Sequence, residues 1–357
     1  MSLPEPVPSE HAGARFLAEI REQPAALRRL LEHEGEFARV AAAARDGGSL
    51  VRFVGHGSSD NAATYGVYAF GLLAGWTALR DSITLTVYYG ATFDVSRSIV
   101  LGLSQSGRTP DVVAYLERAR AGGAFTVAVT NDPASEMARA AEAILPLAAG
   151  DELAVAATKT YVNQLAALAL LAGHIAGQGA RVSDGIREAA DRLDEALPSL
   201  EAETQALAIP FSYVGRMFVI GRGPEFATAR EIALKLLETC RTAAAPLTAT
   251  DLAHGPMAVL DPLFPVWSIA SRDVSLSAVQ DAAARVKQFG STVVASGTAA
   301  REIAGADYYL PVPEPKLALL SPLLSVVPGQ LFAAALARAK GFDPDAPRGL
   351  TKVTLAR

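Results

Sequence analysis

Leu101–Val113 reads LGLSQSGRTPDVV. An apolar run ends in Ser104-Gln105-Ser106-Gly107, and Thr109-Pro110-Asp111 then opens a helical pattern. Thr109 suits an N-cap, Pro110 the first helical position and Asp111 the first turn. Val112, Leu116 and Ala119 mark a buried helix face. Ser104–Arg108 is therefore a loop from a strand's C-terminal end to a helix N-terminus, where open α/β sheets bind ligands. Backbone N–H groups and the positive helix end attract phosphate there. Ser104, Ser106 and Thr109 add hydroxyls, and Gly107 allows close approach. The plainer alternative is an ordinary polar turn with a capping threonine. A nucleotide P-loop fits poorly, because Arg108 stands where the terminal phosphates need lysine and Gly102 falls inside the strand.

Outward from this loop, LVRFVG, SIVLGLS, FTVAVTN and AILPL are short apolar runs separated by longer helical periods. That alternation predicts an α/β fold: a mostly parallel sheet between helix layers. A first Gly-x-Gly turn, GHGSSDNA, carries Ser58 and Ser59, which can hydrogen-bond a sugar or its phosphate. No G-x-G-x-x-G stands there, so a dinucleotide is disfavoured. The scheme then restarts. MFVIGRGPEFATAREIALKLLE echoes VRFVGHGSSDNAATYGVYAFGL, with Gly221/Gly223 in place of Gly55/Gly57. Two tandem lobes of one plan are expected. The expected divisions are a Pro-rich lead and helix over 1–34, lobes over 35–195 and 196–345, and a tail over 346–357.

The 357 residues carry a net charge of −5, with half of them hydrophobic and no basic stripe. Nucleic acid and anionic membranes are excluded as expected partners. The apolar run LAALALLAGHIAG is too short to span a bilayer and reads as a buried helix. The opening MSLPEPVPSEHAGARF does not read as a signal peptide. The single cysteine, Cys240, precludes an internal disulfide and makes the cytoplasm the default compartment. The five histidines show no metal-ligand spacing, so neither metal nor cofactor is expected.

EIALKLLE places Glu231, Lys235 and Glu238 at i, i+4 and i+7, on one helical face. A solvated ion-paired face is the usual meaning of such spacing. A carboxylate–lysine set near a ligand loop is the alternative, a general base for moving a proton between adjacent carbons. His254 precedes Gly-Pro in a turn, and Lys352 lies in a Pro/Gly-bounded tail.

GHGSS, LSQSGRT, ELAVAATKTYVNQL, GRGPEF…REIALKLLE, DLAHGPMAVLD and PRGLTKVT, in this order, together resemble the sugar-isomerase (SIS) family. The likeness is greatest to the isomerase half of glucosamine-6-phosphate synthase and to amino-sugar-phosphate deaminases. It implies that Ser59, Ser104, Gln105, Ser106 and Thr109 bind a sugar phosphate and that Val155 contacts the sugar through its backbone. It implies Glu238 as the base between C1 and C2, with Glu231 and Lys235 as charged support. His254 would assist ring opening from the second subunit of a homodimer, and Lys352 would form a Schiff base with the open-chain ketose. Ala157 replaces the family's usual serine, and Thr92 stands in ATF where Ser-Glu-Phe is common. The synthase's glutaminase domain, with its cysteine after the initiator Met, is not expected here, since residue 2 is Ser2. Deamination of glucosamine 6-phosphate is the expected reaction. A galactosamine or fructosamine phosphate, a synthase subunit using ammonia from a separate source, and a non-catalytic phosphosugar sensor are the alternatives.

Overall fold

The computed structural model describes residues 12–44 and 48–352. The expected Pro-rich lead, up to residue 11, and the last five residues of the expected tail lie outside the described residues.

The first sheet contains β1 (Leu50–Val54), β2 (Thr77–Arg80), β3 (Ile99–Ser104), β4 (Phe125–Thr130) and β5 (Ala143–Pro146). The second contains β6 (Arg216–Gly221), β7 (Ala243–Thr248), β8 (Val266–Ile269), β9 (Val293–Gly297) and β10 (Tyr308–Pro311). Every pairing is parallel, in the orders β2-β1-β3-β4-β5 and β10-β9-β8-β6-β7. Read from its β7 edge, the second order repeats the first, so the two lobes share one topology. In this order the chain reverses direction between β1 and β3, and between β6 and β8. Those are the crevices where ligands bind.

Central strands are recognisable as continuous apolar runs because both their faces are covered. All six residues of β3 are buried. The edge strands β2 and β7 were not expected from the sequence. TALR is short and largely exposed, and AAAPLT holds Pro246, which an edge strand tolerates because one side of it needs no ladder N–H.

The helices are α1 (Ala14–Arg21), α2 (Gln23–Leu31), α3 (Glu34–Ala44), α4 (Ser58–Ala69), α5 (Pro110–Ala121), α6 (Glu136–Ala140) and α7 (Lys159–Ile175). Then come α8 (Gly179–Ala208), α9 (Glu225–Cys240), α10 (Ala249–Ala253), α11 (Leu276–Gln288), α12 (Pro322–Ser325) and α13 (Val327–Ala339). The expected lead helix breaks between α1 and α2, where Pro24 starts the second segment. The thirty-residue α8 runs unbroken across residue 195 and joins the lobes.

The helices leaving the two Gly-x-Gly turns, α4 and α9, pack on each other. This places Ser58 and Asn61 of α4 against Glu231 and Lys235 of α9. One hydrophobic core serves both lobes, holding Phe53 and Tyr161 with Trp267 and Phe332. Almost every residue of α7 is buried in it. The apolar stretch 318–339 is long enough to cross a bilayer, but 89% of an 18-residue window within it is buried inside the protein.

Candidate active site

The Ser104–Thr109 loop has the expected form. β3 ends at Ser104 and α5 begins at Pro110. Thr109 occupies the N-cap position, yet its hydroxyl makes no capping bond. It lies 3.1 Å from the Ser104 hydroxyl instead. Ser104 also accepts the Gly107 N–H at 3.1 Å, and Ser106 accepts the Arg108 N–H at 3.3 Å. Gly107 has φ +62°, and a Cβ there would sit 2.1 Å from the Ser135 hydroxyl. The loop thus needs glycine both for its conformation and for its close packing. Gln105, Ser106 and Arg108 line a cleft of about 360 Å³ with Asp132, Glu152 and Lys352.

Across the β1 crevice, Ser58 and Ser59 begin α4. Ser59 is buried and accepts Gln164 Nε2 at 2.9 Å. Ser58 points the other way and donates to Glu231 Oε1 at 2.8 Å, while Asn61 donates to Glu231 Oε2 at 2.8 Å.

Glu231 and Lys235 are fully buried, so the triad on α9 is not a solvated face. Lys235 Nζ lies 3.3 Å from Glu231, 2.6 Å from Glu238 and 3.3 Å from the Ser58 hydroxyl. Only the Glu238 end is open, its side chain 22% exposed. Burial raises the Glu231 carboxyl above its ordinary value, against the opposing pull of Lys235, Asn61 and Ser58. Burial alone would lower Lys235, but the two carboxylates outweigh it and hold the ammonium above its ordinary value. The result is a fixed, buried cation in contact with the one carboxylate at the open end.

Lys352 closes the cleft from the C-terminal side. Its Nζ lies 3.0 Å from Glu152 Oε2 and donates to the Ala154 carbonyl at 2.7 Å. Two buried carboxylates not singled out from the sequence hold the 152–160 loop, which carries the half-buried Val155 and Ala157. Glu152 accepts the N–H groups of Thr158 and Thr160 and the Thr160 hydroxyl. Glu19, on α1, accepts the N–H groups of Leu153 and Ala154. A third, Glu225, lies in the second lobe's crevice. It receives four hydroxyls, from Thr228, Ser271, Ser321 and Ser325. It was visible in GRGPEF only as an acid after a Gly-x-Gly turn.

His254 is placed apart from these groups. It is exposed at the C-terminal end of α10 and lines a separate cleft of about 210 Å³ with Arg222, Thr250, Asp281 and Arg285.

The sequence profile of the SIS domain matches residues 51–173 and 211–338, one match in each lobe. The glutamine--fructose-6-phosphate aminotransferase [isomerizing] of Clostridium perfringens is 32% identical over 94% of this chain and 58% of its own length. The chain therefore spans little more than half of that relative. A solved structure from Silicibacter pomeroyi DSS-3, provisionally described as a phosphosugar isomerase, is 34% identical with a TM-score of 0.83, covering 92% of this chain and 99% of that one. The C-terminal domain of glucosamine-fructose-6-phosphate aminotransferase from Francisella tularensis is 25% identical with a TM-score of 0.86, over 92% and 97% of the two chains. The chain belongs to the SIS domain family. Within that family it is similar to the C-terminal domain of these aminotransferases.

Proposed function

We propose that this chain is an aldose–ketose isomerase of an amino-sugar 6-phosphate that releases ammonia, converting glucosamine 6-phosphate and water into fructose 6-phosphate and ammonia. The observation that carries this reading is the buried Glu231–Lys235–Glu238 chain. It is tied through Ser58 and Asn61 to the helix that leaves the first Gly-x-Gly turn, and it ends in one open carboxylate.

The phosphate sits on the Ser104–Thr109 loop, Gln105 included, with Ser59 of α4 as a further hydroxyl. His254 assists ring opening from the second subunit of a homodimer, which agrees with its exposure away from its own chain's cleft. Glu238 takes the proton from C2 of the open-chain aldose and returns it at C1, leaving an imine at C2. Lys352 attacks that carbon and displaces ammonia, and water then hydrolyses the lysine Schiff base to the ketose. Val155 presents its backbone to the sugar.

Thiol chemistry limits where the ammonia can come from. Cys240, the one cysteine in these 357 residues, is buried and bonded to the Ala333 carbonyl, and burial pushes its thiol up to about 11. It is unsuited to open glutamine, so ammonia is a product or comes from outside these residues. A single cysteine, reduced and buried, also suits a cytoplasmic setting. Ala157, half-buried beside Val155 where a serine is usual, favours a galactosamine or fructosamine phosphate as the second reading.

The test is ammonia release from glucosamine 6-phosphate, with fructose 6-phosphate followed in the same tube by a coupled dehydrogenase. Equimolar appearance of both is expected. No ammonia from any amino-sugar phosphate, with phosphosugar binding intact, would replace the enzyme by a sensor.

A further inference from the structure

Lys352 is the nucleophile in the reading above, and this inference rests on that reading. An amine near the end of a chain needs something to hold it at the reacting carbon. We infer that Glu152 is the positioning residue for Lys352, holding its amine at the wall of the cleft.

The Glu152 side chain is fully buried, whereas that of Lys352 is 24% exposed. A buried carboxylate is costly unless its oxygens are satisfied. Glu152 is satisfied on both. Oε1 takes the N–H groups of Thr158 and Thr160, at 2.9 and 3.0 Å. Oε2 takes the Thr160 hydroxyl at 2.7 Å and the Lys352 ammonium at 3.0 Å. Burial works against its charge, but Lys352 and these donors outweigh it and hold the carboxyl below its ordinary value. The anion is therefore fixed, and the lysine is its movable partner.

Lys352 also donates to the Ala154 carbonyl, whose own N–H is held by Glu19. One loop thus places the lysine and Val155 together. The tail itself is tethered upstream, because Asp343 and Asp345 accept the N–H groups of Gly13, Arg15 and Phe16 at the start of α1. The other charged groups around the lysine are Glu19 from α1, Asp151 from the same loop, and Arg108 paired with Asp132 across the cleft. Of these charged groups, Glu152 is the one bonded to the amine.

The contact fixes the amine beside Val155, and attack on carbon needs the amine released from it. Glu152 therefore keeps Lys352 parked until substrate enters and the contact exchanges for the carbonyl carbon.

The test is borohydride trapping on Lys352 with fructose 6-phosphate as the probe, in the full chain and in Glu152→Gln, with the Kd of the ketose titrated separately. In the variant the limiting trapping rate should fall at least tenfold while Kd stays within twofold. A slower rate with an equally weakened Kd would reduce Glu152 to a structural group and overturn the inference. An unchanged rate would do the same. Glu152→Asp keeps the charge but shortens the reach, so trapping should remain slow with Kd unchanged, a readout that stands even if Glu152→Gln does not fold. Trapping at the full rate in Glu152→Asp would count against the inference. Absence of any adduct in the unmodified protein would remove the nucleophile itself, and this inference with it. That outcome differs from an adduct that forms but ignores Glu152.

Discussion

The three charges on α9 do different work because they differ in burial. Glu231 and Lys235 are sealed, and Glu238 alone reaches the opening. Glu238→Gln should lower kcat by about 10²–10⁴, the usual worth of a positioned general base, with phosphosugar binding retained. Steady-state kinetics with a separate binding titration would check this. Lys235→Met should behave differently, because it strands a buried carboxylate. Breaking a buried pair in this way costs about 3–5 kcal/mol, read from denaturant midpoints. Burial already pushes Glu231 up, so that cost should shrink as the pH falls and Glu231 takes a proton. The spacing of this triad was legible in the sequence, but its burial was not. Ile232 and Leu236 are buried as their pattern suggests, yet α4 covers the charged side, and α4 is some 170 residues away in sequence. Glu152 was illegible for the same reason, its lysine lying 200 residues further on.

At the scale of elements, the strand–loop–helix over Ile99–Ala121 was readable because each residue serves local needs: apolar strand, small hydroxyls, glycine, proline at the first turn. Gly107→Ala tests how tightly that loop is built. The substitution forces φ +62° on alanine and drives a Cβ into Ser135. A cost of about 1–3 kcal/mol in stability is expected, from melting curves. KM for the phosphosugar should rise at least tenfold, roughly 1.4 kcal/mol of lost binding. The edge strands β2 and β7 were not readable. Short, exposed or proline-bearing segments carry little periodicity, and the neighbouring strand specifies them instead.

For the whole molecule, the echo of one Gly-x-Gly turn in the other announced two lobes, and the shared strand order bears that out. The core shared by both lobes and the packing of α4 on α9, which join the halves at the site, needed the structure. The same holds for the clasp that fixes Lys352. Its pH dependence has a definite sign. Glu152 is held below the ordinary glutamate value of 4.5, so its carboxylate contributes stability above that value and loses it as pH falls through the folded one. Amide-exchange protection at Thr158 and Thr160 should therefore persist down to about pH 4.5 and fall only below it. Loss of protection near neutral pH would give the wrong sign. The central claim, that Glu238 carries a proton between C1 and C2, is tested most directly by incubating fructose 6-phosphate with the protein in deuterated water and following the C1 hydrogens by NMR. The account predicts exchange of one C1 hydrogen with the unmodified chain and none with Glu238→Gln. Equal exchange in both, or none in either with the ketose bound, would contradict it.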